Sequence, residues 1–384
     1  MKVRATFIEL WKKIIHFKTT DKVFWNGENN MYSEEMDLVV GNSPTGSRSK
    51  ELFAKFIYGK GISKDLDVKF DDGVLLSEVS KDVTDDVVVQ DGAFIHTTYK
   101  IEVDGEDVIF LPNQPKSLDY NKCRISNDDD DGNSGMILYK NYNKLDTTLT
   151  REEKNAKKKY YPFNPDQNVV KAQINADAKL AKYDGEDWAG KIKYYRGQVM
   201  YLNLTPKYRY AVSKFDSVYN DLDTEYRLGV YSNTITRGGF LGKTAVLTQG
   251  LDDEASKQVK EDVSNWLGAD GSSGVYHLDV EEIESLDNVL KILQVPSQFD
   301  HNQFESLIKE LRRNILGAAN NLPEELVYAS SGMFDSGEKY KELKKSYWER
   351  CEWERQKIEE AFLKLGYAFN FLDVEEIVID TEQL

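Results

Sequence analysis

The chain has 384 residues, 40% of them apolar and 12% aromatic, which is too much core-forming material for a disordered protein and enough for two or three domains. Its 66 acidic and 50 basic residues leave a net charge of −16, which argues against a protein that grips phosphates over its whole surface but leaves room for a local basic patch. Two cysteines, Cys123 and Cys351, exclude a disulfide framework and fit a reducing compartment, and no apolar run is long enough to span a membrane.

Met1 to Lys18 is amphipathic and mildly basic, but Glu9, Lys12 and Lys13 interrupt any signal-peptide core. Docking on this or a neighbouring domain is expected there ahead of a membrane-surface helix. Residues 21 to 46 are polar and turn-rich, with Asn-Gly at 26–27 and Ser-Pro at 43–44. Ser47 to Tyr58 reads as a helix closed by Gly59-Lys60-Gly61. Val74 to Val89 carries Leu75, Leu76, Val79, Val83 and Val87 at helical spacing, against its β-branched content. Asp91-Gly92 turns the chain into an alternating Ala93 to Val103, and Asp104-Gly105 leads to Val108 to Leu111, a hairpin signature. Tyr120 to Ile125 and Met136 to Tyr142 read as strands around an acidic turn. The first 145 residues are therefore mixed, α+β.

Residues 146 to 168 form a polar break. A helix over Val169 to Tyr183 follows, then a strand over Gln198 to Leu204. Pro206 opens a long helical segment with Val212, Phe215, Val218, Tyr219, Leu222 and Tyr226 on one face. Next come a strand over Thr244 to Thr248, a helix over Asp252 to Leu267, a loop over Gly268 to Gly274 and a strand over Val275 to Val280. This unit of about fifty residues is placed like an insertion between helices, with too small a core to stand alone.

Residues 300 to 366 predict two helices around an irregular loop. The first opens at Asp300 with Gln303 in capping-box spacing and carries Phe304, Leu307, Ile308, Leu311 and Ile315 on one stripe, with Gly317 as its stop. The second opens at Asp335 and carries Tyr340, Leu343, Tyr347, Cys351, Ile358, Phe362 and Leu365 before Gly366. It would run roughly 45 Å unbroken, longer than one compact domain needs. Between them, Ala318 to Phe334 is rich in the turn-formers Asn320, Asn321, Pro323, Ser330, Ser331 and Gly332.

Chemical signals are sparse. Gly242-Lys243-Thr244 lacks the glycine that a phosphate loop needs at 237, which is Arg, and it precedes a strand rather than a helix. Asn127 to Gly132 imitates the start of a calcium loop, but its closing carboxylate should fall at 138, which is Leu. His16, His96, His277 and His301 are far apart. No cofactor, metal or catalytic constellation is expected. Lys309, Arg312 and Arg313 form a basic group on one helix, read either as solvated charge paired with Glu305 and Glu310 or as a DNA-phosphate contact.

Three stretches together resemble the portal proteins of tailed double-stranded DNA bacteriophages. They are SPTGSRSKELFAKFIYGKGI from Ser43, DTEYRLGVYSNTITRGGFLGKTAVL from Asp223, and the helix–loop–helix from Phe304 to Leu365. The resemblance implies an α+β portal fold with a wing at 1–206, stem helices at 207–236 and 296–317, and a clip at 237–295. It places a tunnel loop at 318–334 and a long helix with a return to the wing at 335–384. It implies a ring, usually of twelve copies, at one capsid vertex in the virion, assembled in the host cytoplasm, through which DNA is packaged and ejected. Its expected partners are the major capsid protein, the terminase large subunit, a head-tail adaptor and double-stranded DNA without sequence preference, and no membrane. Enzymatic activity is not implied. On that frame Lys309, Arg312 and Arg313 are channel candidates; Asn320, Asn321, Glu324, Glu325, Ser330 and Ser331 are tunnel-loop candidates; and Lys243, Trp266 and Asp270 are clip contacts. The competing readings are an intracellular enzyme of α+β fold acting on nucleotides or nucleic acid, and another ring-forming head-tail adaptor.

Overall fold

The computed structural model describes residues 19–20, 23–62, 67–104, 107–126, 135–140, 158–237, 244–249, 257, 275–280, 290–294, 301–328 and 337–368. These fall into two compact units. One holds the residues up to Gly41, Thr45–Tyr219 and those from Ile315; the other holds Asn42–Pro44 and Asn220–Asn314. The fold class is α+β.

The first unit is built on a six-stranded mixed sheet. A two-residue ribbon, β1 (Thr19–Thr20) with β2 (Val23–Phe24), precedes it, and its strands are β3 (Gly92–Asp104), β4 (Asp107–Leu118), β5 (Cys123–Ile125), β6 (Ile137–Tyr139), β7 (Lys158–Pro162) and β8 (Gln198–Asn203). Their order is β4-β3-β8-β7-β6-β5, antiparallel throughout except for the parallel pair β7–β8. The expected hairpin is present, and longer than the sequence predicts. The register Phe94↔Leu118 and Phe94↔Tyr201 brings three strands' apolar residues together. Tyr120, Cys123, Ile137, Tyr160, Val199 and Tyr210 complete that core. Strand β3 does not alternate as expected: from Gly92 to Thr97 every residue is buried, because both faces of the strand are covered.

One covering element is α3 (Leu76–Gln90), whose helical spacing of Leu76, Val79, Val83 and Val87 outweighs β-branched propensity through burial. The Glu78 side chain accepts from the Leu75 N–H at 3.0 Å, and Asp91 closes the helix in the left-handed region (φ 57°). Two further helices, α1 (Tyr32–Asn42) and α2 (Pro44–Tyr58), lie before it. The turn-rich reading of residues 21 to 46 overlooked α1, whose signal is the thin but regular stripe Tyr32, Met36 and Val40. Pro44 suits the first helical position, so α2 starts before Ser47.

A second face of the sheet is covered by α4 (Gln167–Leu180) and the short α5 (Trp188–Lys191). They close a core of Tyr99, Phe110, Leu111, Val170 and Ile174. The free edge of β4 is blunted by a side chain acting as a strand. Gln167 accepts the Phe110 N–H through Oε1 and donates Nε2 to the Phe110 carbonyl, both at 2.9 Å. Pro112 and Pro115 on the same strand offer no N–H to a further strand.

Residues 120 to 125 split into a one-turn helix (Tyr120–Lys122), capped by Asp119, and β5, where a single strand was expected. Around this corner Asp37 accepts from Gln90 Nε2 (3.0 Å) and Asn121 Nδ2 (2.7 Å). Asp86, one helical turn before Gln90, accepts from the Ser117 hydroxyl at 2.9 Å. Burial, and then its acidic neighbours Asp37, Asp119 and Asp85, push its carboxyl up to about 8. A carboxyl raised in the folded state stabilises below its unfolded pKa, and that contribution is lost as pH rises through about 8. Asp86→Asn is therefore expected to gain ~2 kcal/mol over the natural chain at pH 9 and nothing at pH 4, the residue's partial solvent exposure screening the full effect. Melting curves of both proteins across that range test this; parallel curves would refute it.

Pro206 does not open a long helix. Tyr210 and Ala211 are buried, the Tyr210 hydroxyl accepts from the Ile125 N–H and donates to the Phe24 carbonyl, and the Ala211 N–H donates to Tyr201. These commitments hold residues 206–213 out of helix. A one-turn helix (Lys214–Val218) follows, and then α6 (Tyr219–Arg237).

The second unit contains α6, a three-stranded sheet of β9 (Thr244–Gln249), β10 (Val275–Val280) and β11 (Leu290–Gln294), and α7 (His301–Ala318), whose last four residues count with the first unit. β9 is central, parallel to β10 and antiparallel to β11. Thr244 begins a strand, as expected. His277 lies in β10 opposite Val246. The helix expected over 252–267 lies outside the described residues except Lys257, which is helical, and the acidic turn at 127–132 lies outside them too.

After α7 come the short α8 (Glu324–Val327), α9 (Gly337–Arg350) and α10 (Glu352–Ala368). The expected unbroken helix is divided at Cys351. Its N–H is shared between the carbonyls of Tyr347 and Trp348, both at 3.2 Å, and the Arg355 guanidinium caps the Trp348 carbonyl at 2.8 Å while stacking on the Trp348 ring. The predicted stripe is buried from Tyr347 to Leu365, whereas Tyr340 is exposed.

Candidate functional site

The segment between α7 and α9 is less loop-like than its composition implies. Ala319, Leu322 and Val327 are buried. Asn320 and Asn321 both take positive φ (54° and 55°), a conformation asparagine tolerates better than other side-chain-bearing residues. The Tyr347 hydroxyl donates to the Ala319 carbonyl at 2.9 Å, and Arg350 Nη1 donates to the Asn321 carbonyl at 2.7 Å. Tyr328 is joined to Thr45 through their hydroxyls at 2.8 Å. Glu324 and Glu325 form the first turn of α8, where carboxylates favour the helix dipole. Ser330 and Ser331 lie outside the described residues.

Asn320 belongs to a polar junction that the sequence did not reveal. Its Oδ1 accepts from Lys214 Nζ at 2.8 Å, and its Nδ2 donates to Glu354 Oε1 at 2.9 Å. Lys214 and Glu354 form an ion pair, with Glu354 buried. The ammonium also lies near the rings of Phe53 and Trp353, at 5.4 and 5.7 Å. Asp91, buried at the end of α3, faces the same lysine. Burial raises its carboxyl to about 6 against the pull of Lys214, with Glu354 adding to the rise. One cation thus serves two buried carboxylates. Lys214 comes five residues before α6 and Asn320 two residues after α7, so the junction ties the chain on either side of the second unit to α10. The available signal was Glu354 itself, an acid on the apolar stripe of Tyr347, Cys351 and Ile358.

Lys309, Arg312 and Arg313 share one face of α7 by their i, i+3, i+4 spacing. Lys309 is paired with Glu305 at 2.8 Å with both side chains exposed, so its charge is locally offset. Arg312 is half-buried and Arg313 exposed. Lys243, Trp266 and Asp270 lie outside the described residues. In the second unit Tyr226, Val230 and Tyr231 on α6 are 43%, 48% and 52% exposed, and Leu307 on α7 is 39% exposed.

Chemistry is muted elsewhere. Burial lifts the Cys123 thiol well above its ordinary value and pushes the Cys351 thiol up to about 12, far from a nucleophile at neutral pH. His96 is buried beside Tyr160, its Nε2 2.8 Å from the Arg196 carbonyl, and burial lowers its pKa to about 4. Among the described residues no cluster of three or more His, Cys, Asp or Glu side chains could hold a metal, and no helix is long and apolar enough to cross a membrane.

No protein-family model and no curated protein matches this chain. Solved structures do. A chain from the neck of an empty gene transfer agent (GTA) particle, computed with C6 symmetry, aligns with a TM-score of 0.52 at 12% identity, covering 93% of this chain and 85% of that one. A chain from the neck of a native GTA particle, computed with C12 symmetry, aligns at 0.50 and 12% identity, covering 94% and 86%. A third, from the virion of a native GTA particle, reaches 0.44 at 13% identity over 82% and 73%. At such identity the first two likenesses concern the fold.

Proposed function

We propose that this chain is a portal protein, the subunit of a ring of about twelve copies at one capsid vertex through which double-stranded DNA is packaged and later ejected. The observation that carries the reading is the fold-level likeness to particle-neck chains over more than nine-tenths of this chain. It is supported by the order of helix, small mixed sheet and helix in the second unit, followed by a tied-down turn and a further long helical stretch. In this reading the first unit is chiefly the wing, α6 and α7 are the stem, and the sheet of β9, β10 and β11 is the clip that meets the terminase large subunit and then a head-tail adaptor. The major capsid protein surrounds the wing. The role is mechanical, with nucleotide hydrolysis left to the terminase.

The exposed Tyr226, Val230 and Tyr231 fit the same reading, since exposed apolar side chains on one helix are buried when a second copy packs against them. Twelve copies of the 44.1 kDa chain give a particle of about 530 kDa. Mass photometry with negative-stain imaging is expected to find that mass and a central hole, and Tyr231→Glu to yield a folded chain of lower mass. A monomer that binds nucleotide would replace this reading with the enzyme.

A further inference from the structure

Helix α9 carries lysines that pair with no acid among the described residues. From Glu338 to Ser346 none of its side chains is buried, and Glu338, Lys339, Tyr340, Lys341, Glu342 and Lys345 are exposed. At 100° per residue, Lys341, Lys344 and Lys345 fall within an arc of about 100°, while Glu338, Glu342 and Glu349 occupy a separate arc of about 40°. Spacings of three and four would allow Lys341 to pair with Glu338, and Lys345 with Glu342 or Glu349. Among the described residues neither pairs with any acid, and the Lys344 ammonium lies instead over the Tyr340 ring at 5.1 Å. Lys309, by contrast, is offset by Glu305, and Lys357 by Glu360.

We propose that the Lys341–Lys344–Lys345 face of α9 is a contact for the phosphate backbone of double-stranded DNA, an inference that rests on the portal reading above. Lysines are point charges without the fork geometry that reads bases, so the contact is sequence-independent. Four residues of helix separate Lys341 from Lys345 by about 6 Å along the axis, so the three ammonium groups form one compact stripe that a single stretch of duplex backbone can meet. Single strands are a poorer fit, because the exposed aromatic that could stack a base, Tyr340, is already covered by Lys344. A chain of net charge −16 repels DNA over most of its surface, so a narrow basic stripe steadies a duplex without holding it fast.

The test is fluorescence anisotropy of a random duplex of about 30 base pairs against salt concentration, using the full chain and the triple variant K341Q/K344Q/K345Q. The variant is expected to bind at least tenfold more weakly at low salt, with a log–log salt slope shallower by about 2 to 3 units. The corresponding triple Lys→Arg variant should keep both. Equal slopes in the natural chain and the Gln variant, or no duplex binding by the natural chain at low salt, would overturn the proposal. Native mass on the same samples separates the two readings: a ring with unchanged slopes removes only the DNA contact. Monomers that still show the slope difference keep the contact and remove the portal.

Discussion

Lys214→Met is expected to destabilise the first unit by ~3 kcal/mol, more than most single substitutions, because it strands two buried carboxylates. Glu354 is 2% exposed and Asp91 3% exposed, and in the natural protein one ammonium answers both. Without it, Asn320 Nδ2 is the remaining side-chain donor to Glu354 Oε1. The loss should therefore grow with pH, since acid neutralises the stranded carboxylates and alkali keeps them charged. The double variant Lys214→Met/Glu354→Met should recover much of the loss, as replacing a whole buried pair by apolar groups commonly does. Thermal unfolding of both at pH 5 and pH 8 decides the matter. A single variant that loses under about 1 kcal/mol would reduce the junction to an incidental contact. On the portal reading its consequence exceeds stability, since residues just before α6 and just after α7 would lose their tie to α10.

What the sequence revealed here follows from periodicity. The stripe of α3, the β3–β4 hairpin and the stripe from Tyr347 to Leu365 repeat apolar residues at the period of their element, and burial rewards that pattern directly. What it concealed depends on contacts distant in sequence. The helix expected from Pro206 is overridden by bonds from Tyr201, Ile125 and Phe24 to the backbone and side chains of Tyr210 and Ala211. Nothing within ten residues of Pro206 foretells Ile125 or Phe24. The break at Cys351 is likewise invisible to a period count, because the apolar stripe passes straight through it. The marker is Arg355, an arginine among buried neighbours that must spend its donors on backbone carbonyls.

The same contrast holds for the functional residues. The basic group on α7 was conspicuous because Lys309, Arg312 and Arg313 are clustered, yet Lys309 is spent on Glu305. The lysines of α9 lie among glutamates at pairing distance in sequence, and only the side-chain placement shows that Lys341 and Lys345 pair with none of the described acids. The sequence marks Asn320 as a turn-former and tunnel-loop candidate; its positive φ and three side-chain hydrogen bonds make it part of the junction.

Arg124→Met should be costlier still, at ~4 kcal/mol, and its pH dependence distinguishes charge from packing. Arg124 is fully buried in β5, a strand only three residues long. Its guanidinium donates Nε to Asn30 Oδ1 and Nη2 to the Asn30 carbonyl, both at 2.6 Å, and Nη1 to the carbonyls of Cys123 (2.8 Å) and Asn121 (3.0 Å). Glu34 Oε2 stands 3.6 Å away and supplies the counter-charge. These bonds fasten the positive-φ Asn30, and with it the start of α1, to the edge of the sheet. Methionine fills similar volume but satisfies none of the four acceptors, so unmet carbonyls account for part of the loss at every pH. Glu34 accounts for the rest. Burial already raises its carboxyl and Arg124 is the main influence lowering it, so removing the arginine raises it further. The added penalty is absent where Glu34 is protonated and grows as pH rises above that range. Denaturant unfolding should therefore show a larger deficit at pH 7.5 than at pH 4.5. Arg124→Lys should restore part of the charge effect but little of the fork of hydrogen bonds. Equal deficits at both pH values would mean that the carbonyls alone hold Arg124 in place and that Glu34 is a bystander.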